Sequence, residues 1–229
     1  MTNAQTKTAI NKVFQNVFDQ PCPYSLDEIL SKFAFDIKLP QKVTDSTTGE
    51  TTWATSINPA KFITEKNSRK KDTWMQPKRP INNLDQLIEI WNRINFRTAE
   101  RNYNSENVTN SDTVYRSEHV YRSCDSSNCK YLIFSDGCHQ SEYLLASQRS
   151  GSCNFCIRVD DSFNCTNSYN ISCSSKVSNS LFIEDGDSLH ECIFCAHIHN
   201  QKFCIANMQF EESEYYAIKT EIIKWILSS

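Results

Sequence analysis

The sequence predicts a mainly β chain: a tight β-solenoid of about nine twelve-residue coils, capped by helices, with a small mixed α/β region at the N-terminus. Three observations predict it. Every third residue from Ser105 to Ile198 is Ser, Cys, Val, Leu, Ile or Gly, for thirty-two consecutive positions. Charged, amide and aromatic residues crowd the positions between and never enter this file. Stepping by twelve from Thr109 gives an apolar stripe that ends at Ile205, whereas stepping by twelve from Glu106 gives a polar one that ends at Lys202. A period of three is neither the 3.6 of a helix nor the 2 of a simple strand. Self-similarity at a fixed longer period marks a solenoid, in which each unit buries its core face against its neighbours.

In chain order, residues 1–82 read as an α+β region. Residues 6–19 form a short helix carrying Ile10, Val13, Phe14, Val17 and Phe18. Ser25 and Glu28 make a capping box that opens a second helix through about Phe35. Lys42–Thr44 and Thr51–Ala54 flank Gly49 as a hairpin. A basic arm, residues 56–80, sets Lys66, Arg69, Lys70, Lys71, Lys78 and Arg79 around Trp74. It reads either as a solvated loop or as an arm that touches an acidic partner. Residues 83–100 hold an N-cap helix in which Asn83 caps Leu84, Leu87, Ile88, Ile90, Trp91 and Ile94. The solenoid spans residues 101–210. Residues 211–229 form a capping helix with Tyr215, Ile218, Ile222, Trp225 and Ile226 inward. Open solenoid ends expose unpaired strand edges, so helices are expected over both.

A coil of only twelve residues is narrow, and side chains of Ser, Cys or Val size fit its axis without overpacking. Buried Ser hydroxyls then need acceptors, for which carbonyls along the stack are the nearest source. The chain has four glycines, too few for a collagen-like triplet. Of the eleven cysteines, Cys129, Cys138, Cys153, Cys156, Cys165, Cys192, Cys195 and Cys204 fall on the inward triplet and read as small hydrophobes. Cys22, Cys124 and Cys173 lie off it and read as the exposed thiols. With no apolar leader at Met1–Thr8 and no membrane-length stretch, the expected setting is cytoplasmic, with reduced thiols. Cys192, Cys195, His197 and His199 have zinc-like spacing. A triplet core nevertheless generates Cys-x-x-Cys whenever two adjacent slots take Cys, so neither a metal nor another cofactor is expected.

The coil resembles that of the small insect antifreeze solenoids of the Tenebrio type, whose repeat runs Thr-Cys-Thr-x-Ser-x-x-Cys-x-x-Ala-x. Their inward Cys, Ser, Cys and Ala correspond in class to Val108, Ser111, Val114 and Ser117. Ice binding in that family comes from paired Thr flanking the first Cys. Here those places hold His119/Tyr121, Tyr131/Ile133 and Tyr143/Leu145, so the likeness implies architecture alone. The C-terminal half, with Phe203-Cys204-Ile205-Ala206-Asn207 before an acidic-aromatic helix, also resembles Cys-rich solenoid proteins of candidate-phylum bacteria. That resemblance implies no activity.

Function is sought on the outward face. Tyr121, Tyr131, Ile133, Tyr143, Leu145, Phe155, Ile157, Tyr169, Leu181, Ile193, Phe203 and Ile205 recur every twelve residues on one flat side. Coils ~4.8 Å apart would make this a strip roughly 40 Å long. An apolar strip of that size marks a binding surface. Its occupant could be the N-terminal region, a second copy in a homodimer seam, or a protein or peptide partner. A net charge of −3 gives no reason to expect nucleic acid. Acids such as Asp112, Asp136, Asp160 and Asp187 lie at intervals on another edge, as turn formers do. No phosphate loop, nucleophile elbow or His-x-x-x-His helix is present. The reading is a non-enzymatic scaffold or binding module. The alternative is a thiol- or metal-dependent enzyme, or a modification-enzyme subunit, with its site where solenoid and N-terminal region meet.

Overall fold

From Asn104 to Ala206 every third residue has a positive φ, between 44° and 63°. Only Gly137 among them is a glycine; the others include Tyr131, Phe155, Arg158 and Glu191. A left-handed conformation costs an L-residue on the order of 1 kcal/mol, so a repeated device must offset it. The computed structural model, which describes residues 1–57, 61–71 and 74–228, supplies that device. Beyond the first coil, left-handed residues donate their N–H to a carbonyl thirteen residues earlier, in the coil below: Arg122 to Thr109 at 3.0 Å, Phe134 to Tyr121 at 3.1 Å, Ala146 to Ile133 at 3.0 Å. The residue after each left-handed one points inward, which gives four inward columns per twelve-residue coil.

Parallel pairing holds the register at twelve. Val108, Val120, Leu132, Leu144 and Cys156 lie one above another, as do Thr109, Tyr121, Ile133, Leu145 and Ile157. The second series continues through Tyr169, Leu181 and Ile193 to Ile205. About nine such coils form the β-solenoid.

The interior is polar as well as small. Ser123 donates its hydroxyl to the Tyr121 carbonyl at 3.0 Å, and its Oγ accepts the N–H of Ser135 at 3.0 Å. Ser135 repeats this, donating to Ile133 at 2.9 Å and accepting from Ser147 at 3.1 Å. Such serines satisfy a carbonyl of their own coil and an inward-facing N–H of the next, the accounting that buried backbone groups demand; inward Ser126 is an exception, its hydroxyl buried without a partner. Cysteine imitates the pattern: Cys153 Sγ contacts the Gly151 carbonyl at 3.3 Å and accepts from the Cys165 N–H at 3.5 Å. The inward cysteines are therefore weak-bonding stand-ins for serine as well as small apolar groups.

The N-terminal region follows the sequence closely in places. Helix α1 (Asn3–Phe18) starts from a capping box at Thr2 and Gln5, and α2 (Leu26–Phe33) from one at Ser25 and Glu28. Strands β1 (Gln41–Thr44) and β2 (Thr51–Ala54) form the expected antiparallel hairpin. Part of the basic arm, residues 58–60 and 72–73, lies outside the described residues. The rest contains β3 (Phe62–Thr64) and α3 (Glu65–Ser68), and β3 pairs in parallel with β4 (Arg97–Ala99). This small module is pinned to the first coils. Asp112, 1% exposed, takes a salt bridge from Arg101 at 2.8 Å and the Thr55 N–H at 2.8 Å.

The two terminal helices of the solenoid depart from the expected caps. Helix α4 (Leu84–Asn92) begins at its Asn83 cap but has no buried residue. At the other end, Met208–Gln209 folds back antiparallel on Lys202–Ile205 and covers the last edge. Helix α5 (Glu212–Ser228) instead lies across the side of the final coils. Tyr215, Ile223 and Ile226 are its buried residues, and Trp225 stays 55% exposed.

Gly186 occupies an inward slot between bulky neighbours. A Cβ there would come 2.7 Å from both Ile183 Cγ2 and Leu189 Cδ1. Gly186→Ala is expected to lower unfolding free energy by about 1–3 kcal/mol through overpacking, as read by urea denaturation with the slope unchanged.

Candidate functional site

The apolar stripe is covered within the chain. Ile133, Leu145, Ile157, Leu181 and Ile193 are all 0% exposed, and they share one core with Ile10, Val13, Phe14, Val17 and Phe18 of α1. Helix α1 runs along the solenoid rather than across it. The Met1 ammonium bonds the Asn107 carbonyl in the first coil, Lys12 bonds Tyr143 Oη three coils on, and Phe18 packs edge-on against Tyr169 two coils further. A helical turn advances about 5.4 Å and a coil ~4.8 Å. Apolar residues three and four apart on α1 therefore meet successive rungs. Helix α5 covers the remaining rungs: Phe203 touches Tyr215, and the half-buried Phe182 touches Trp225. Helix α2 bridges the two, with the Lys32 ammonium and the Tyr24 hydroxyl on the carbonyls that end α5.

Beside this stripe the neighbouring column stacks. His119, Tyr131, Tyr143 and Phe155 form a ladder with ring centroids 4.6, 4.3 and 4.6 Å apart and planes within 11°. Tyr143 is 7% exposed, and the Lys12 ammonium sits 4.1 Å from its ring centroid. The N-terminal region thus packs on the stripe through α1, and α5, which was not among the expected occupants, packs on its last rungs.

The junction of solenoid and N-terminal region is built from ion pairs. Arg158 grips Asp36 with two bonds of 2.9 and 2.8 Å, which holds the Asp36 carboxyl below the usual range. Arg149 pairs with Asp160. A groove of about 230 Å3 opens there, lined by Asp36, Arg158, Asp160, Asn170, Ser172 and Glu184. It contains no thiol, imidazole or paired nucleophile and base. Nearby, Cys124, Asp125 and Asp136 place ligand-type atoms within 4.8 Å of one another. The Cys124 thiol contacts Asp136 Oδ1 at 3.0 Å and the Lys38 carbonyl at 3.2 Å. Burial, then the Asp136 carboxylate, push this thiol far above its ordinary value. Cys124 thus corrects the sequence expectation of an exposed thiol: it is 0% exposed and ties the chain after α2 to the coils.

The zinc-spaced residues do not converge. Cys192 and Cys195 face the interior, while His197 and His199 are exposed on the outer wall and His197 pairs with Asp185 at 2.8 Å. All eleven cysteines carry free thiols. Burial raises Cys138 and Cys156, and it pushes Cys129 up to about 11. In the buried Cys192–Cys195 pair, the thiol hydrogen bond between them raises Cys192 and lowers Cys195.

Among the described residues, two clustered apolar surfaces stay open. On α4, Leu84, Leu87, Ile88 and Trp91 follow an i, i+3, i+4, i+7 spacing and are between 46% and 67% exposed. That spacing is the signature of a face built to be covered, yet the first coil, its expected cover, buries none of it. Near the last coils, Phe194, Ala217, Ile218, Ile222 and Trp225 line an apolar groove of about 610 Å3 with Glu221 at its rim. The signal missed here was Phe194: it sits on an outward column, next to inward Cys195.

The fold defines a narrow β-solenoid whose apolar side is sheathed by helices at both termini. Compared with known proteins, the chain matches no family model, no curated protein and no solved structure. The structure thus bears out a solenoid of about nine twelve-residue coils, and no related protein supports the resemblance to antifreeze or bacterial solenoids.

Leu145→Asp or Ile157→Asp is expected to detach α1 and cost more than about 3 kcal/mol, since burying an unpaired carboxylate adds to the lost apolar burial. Thermal melting with far-ultraviolet dichroism reads that loss. Under native conditions a thiol reagent should modify Cys173 rapidly and the half-buried Cys22 slowly. The nine others should react only on unfolding, as peptide mass mapping would show.

Proposed function

We propose that the chain is a non-enzymatic scaffold or binding module of the cytoplasm, which engages a protein partner through the surfaces its terminal helices leave open. The observation that carries this reading is the exposed apolar side of α4, because a soluble helix with four large apolar residues in register and none buried lacks its counterpart. Of the stripe's expected occupants (the N-terminal region, a second copy, or a protein or peptide partner), helix α1 of the first supports cover from within, so binding moves to α4 and to the groove beside Trp225. A peptide or protein helix suits such faces, with its own apolar residues three and four apart. No helix among the described residues is long and apolar enough to cross a membrane.

The thiol- or metal-dependent alternative keeps one supporting observation, the Cys124, Asp125 and Asp136 group at the junction. Against it stands the Cys124 thiol, which burial and a neighbouring carboxylate keep protonated and hence a poor ligand or nucleophile. One pair of measurements separates the readings. Protein purified without a metal-binding tag should contain no stoichiometric zinc or iron; one equivalent per chain, lost in Asp136→Asn, would sink the scaffold reading. In parallel, cross-linking in the native source should capture a polypeptide with the wild-type chain and lose it with Leu87→Glu, a substitution on the exposed α4 face.

A further inference from the structure

We infer that the partner of the α4 face is a second copy of this chain, and that copies join head to tail, the α4 face of one seated in the Phe194–Trp225 groove of the next. This deepens the scaffold reading and rests on it. The two apolar surfaces belong to opposite ends of the solenoid. Helix α4 runs into β4 and the first coil, where Arg101 clamps Asp112. The groove lies between α5 and Phe194, on the next-to-last coil. One surface is the ridge of a helix and the other a shallow, open and almost wholly apolar depression between α5 and Phe194.

Charge decides between the possible pairings. Residues 61–101 carry ten Lys and Arg against five Asp and Glu, whereas residues 184–229 carry three against eight. The excess is on the surface: Lys66, Lys70, Lys71, Lys78, Arg79 and Arg93 are exposed at the first end. Glu184, Asp185, Glu211, Glu212, Glu214 and Glu221 are exposed at the last. Two α4 faces meeting across a two-fold axis would set basic against basic, and two grooves would set acidic against acidic. Head to tail, each contact joins a net basic end to a net acidic one around an apolar centre, although Glu221, the charged residue of the groove lining, is already paired with Lys224; opposite net charges steer association and suppress wrong partners. The basic surface around Trp74 thereby acquires its acidic counterpart. A contact between two different patches does not close after two copies, so its product is a growing series rather than a dimer.

The test uses the full chain in sedimentation and light scattering. At ~50 mM salt the average mass should rise with concentration past two copies, and at ~500 mM it should fall toward the monomer, because rim charges are screened. Trp91→Glu blocks one end and Trp225→Glu the other, both at side chains more than half exposed. Each variant alone should be monomeric, and an equimolar mixture should form a heterodimer that grows no further. Leu87→Glu and Ala217→Glu provide a second pair should either tryptophan variant lose its wild-type dichroism. A wild-type chain that stays monomeric at every concentration and salt overturns the inference. So does a dimer that survives Trp225→Glu but not Trp91→Glu, which would mark a two-fold α4 seam. If copies stay apart while Leu87→Glu still abolishes capture of another polypeptide, the scaffold reading stands and only the head-to-tail contact falls.

Discussion

The rest of this molecule depends on one repeated backbone choice, the left-handed residue at every third position. It sends the next side chain inward and gives its own N–H to the coil below. One such residue would be a local strain; a stack of them becomes a ladder in which each unfavourable φ is matched by a hydrogen bond. The choice also explains the polar interior. With so tight a coil, some backbone N–H groups point at the axis, where no water can reach them, and serine Oγ takes the place of water. Hydrophobic burial alone would have favoured leucine in every column.

Coil length and inward class were legible because packing in a narrow tube tolerates few residue types, and a single Lys or Phe on the triplet would have broken the pattern. The left-handed positions were not legible. Asn107, Asn110 and Asn128 hint at them, but the same column positions hold Tyr143, Phe182 and Arg116, residues that normally avoid that region. Here long-range pairing overrides local preference.

The candidate site divides in the same way. The stripe through Ile133, Leu145 and Ile157 could be read directly, as could the apolar side of α1. Nothing in either pattern says that they meet, since periodicity identifies a face but not its counterpart. The same limit misplaced α4: Leu84, Leu87, Ile88 and Trp91 declare a face, and adjacency to the first coil suggested the wrong cover. Cys124 was misjudged because its column is outward; the chain after α2 buries it from outside through the Lys38 carbonyl.

The alignment of α1 with the stack has a consequence for size. Between the Asn107 contact of Met1 and the Tyr169 contact of Phe18, the helix and the coils advance together, each by roughly 25 Å. The helix is a ruler laid along the rungs. Adding one coil would lengthen the tube by ~4.8 Å and leave one stripe residue bare unless about three residues were added to a terminal helix. Coil number and helix length are thus tied, and such a chain can gain or lose repeats only in step with its own sheath.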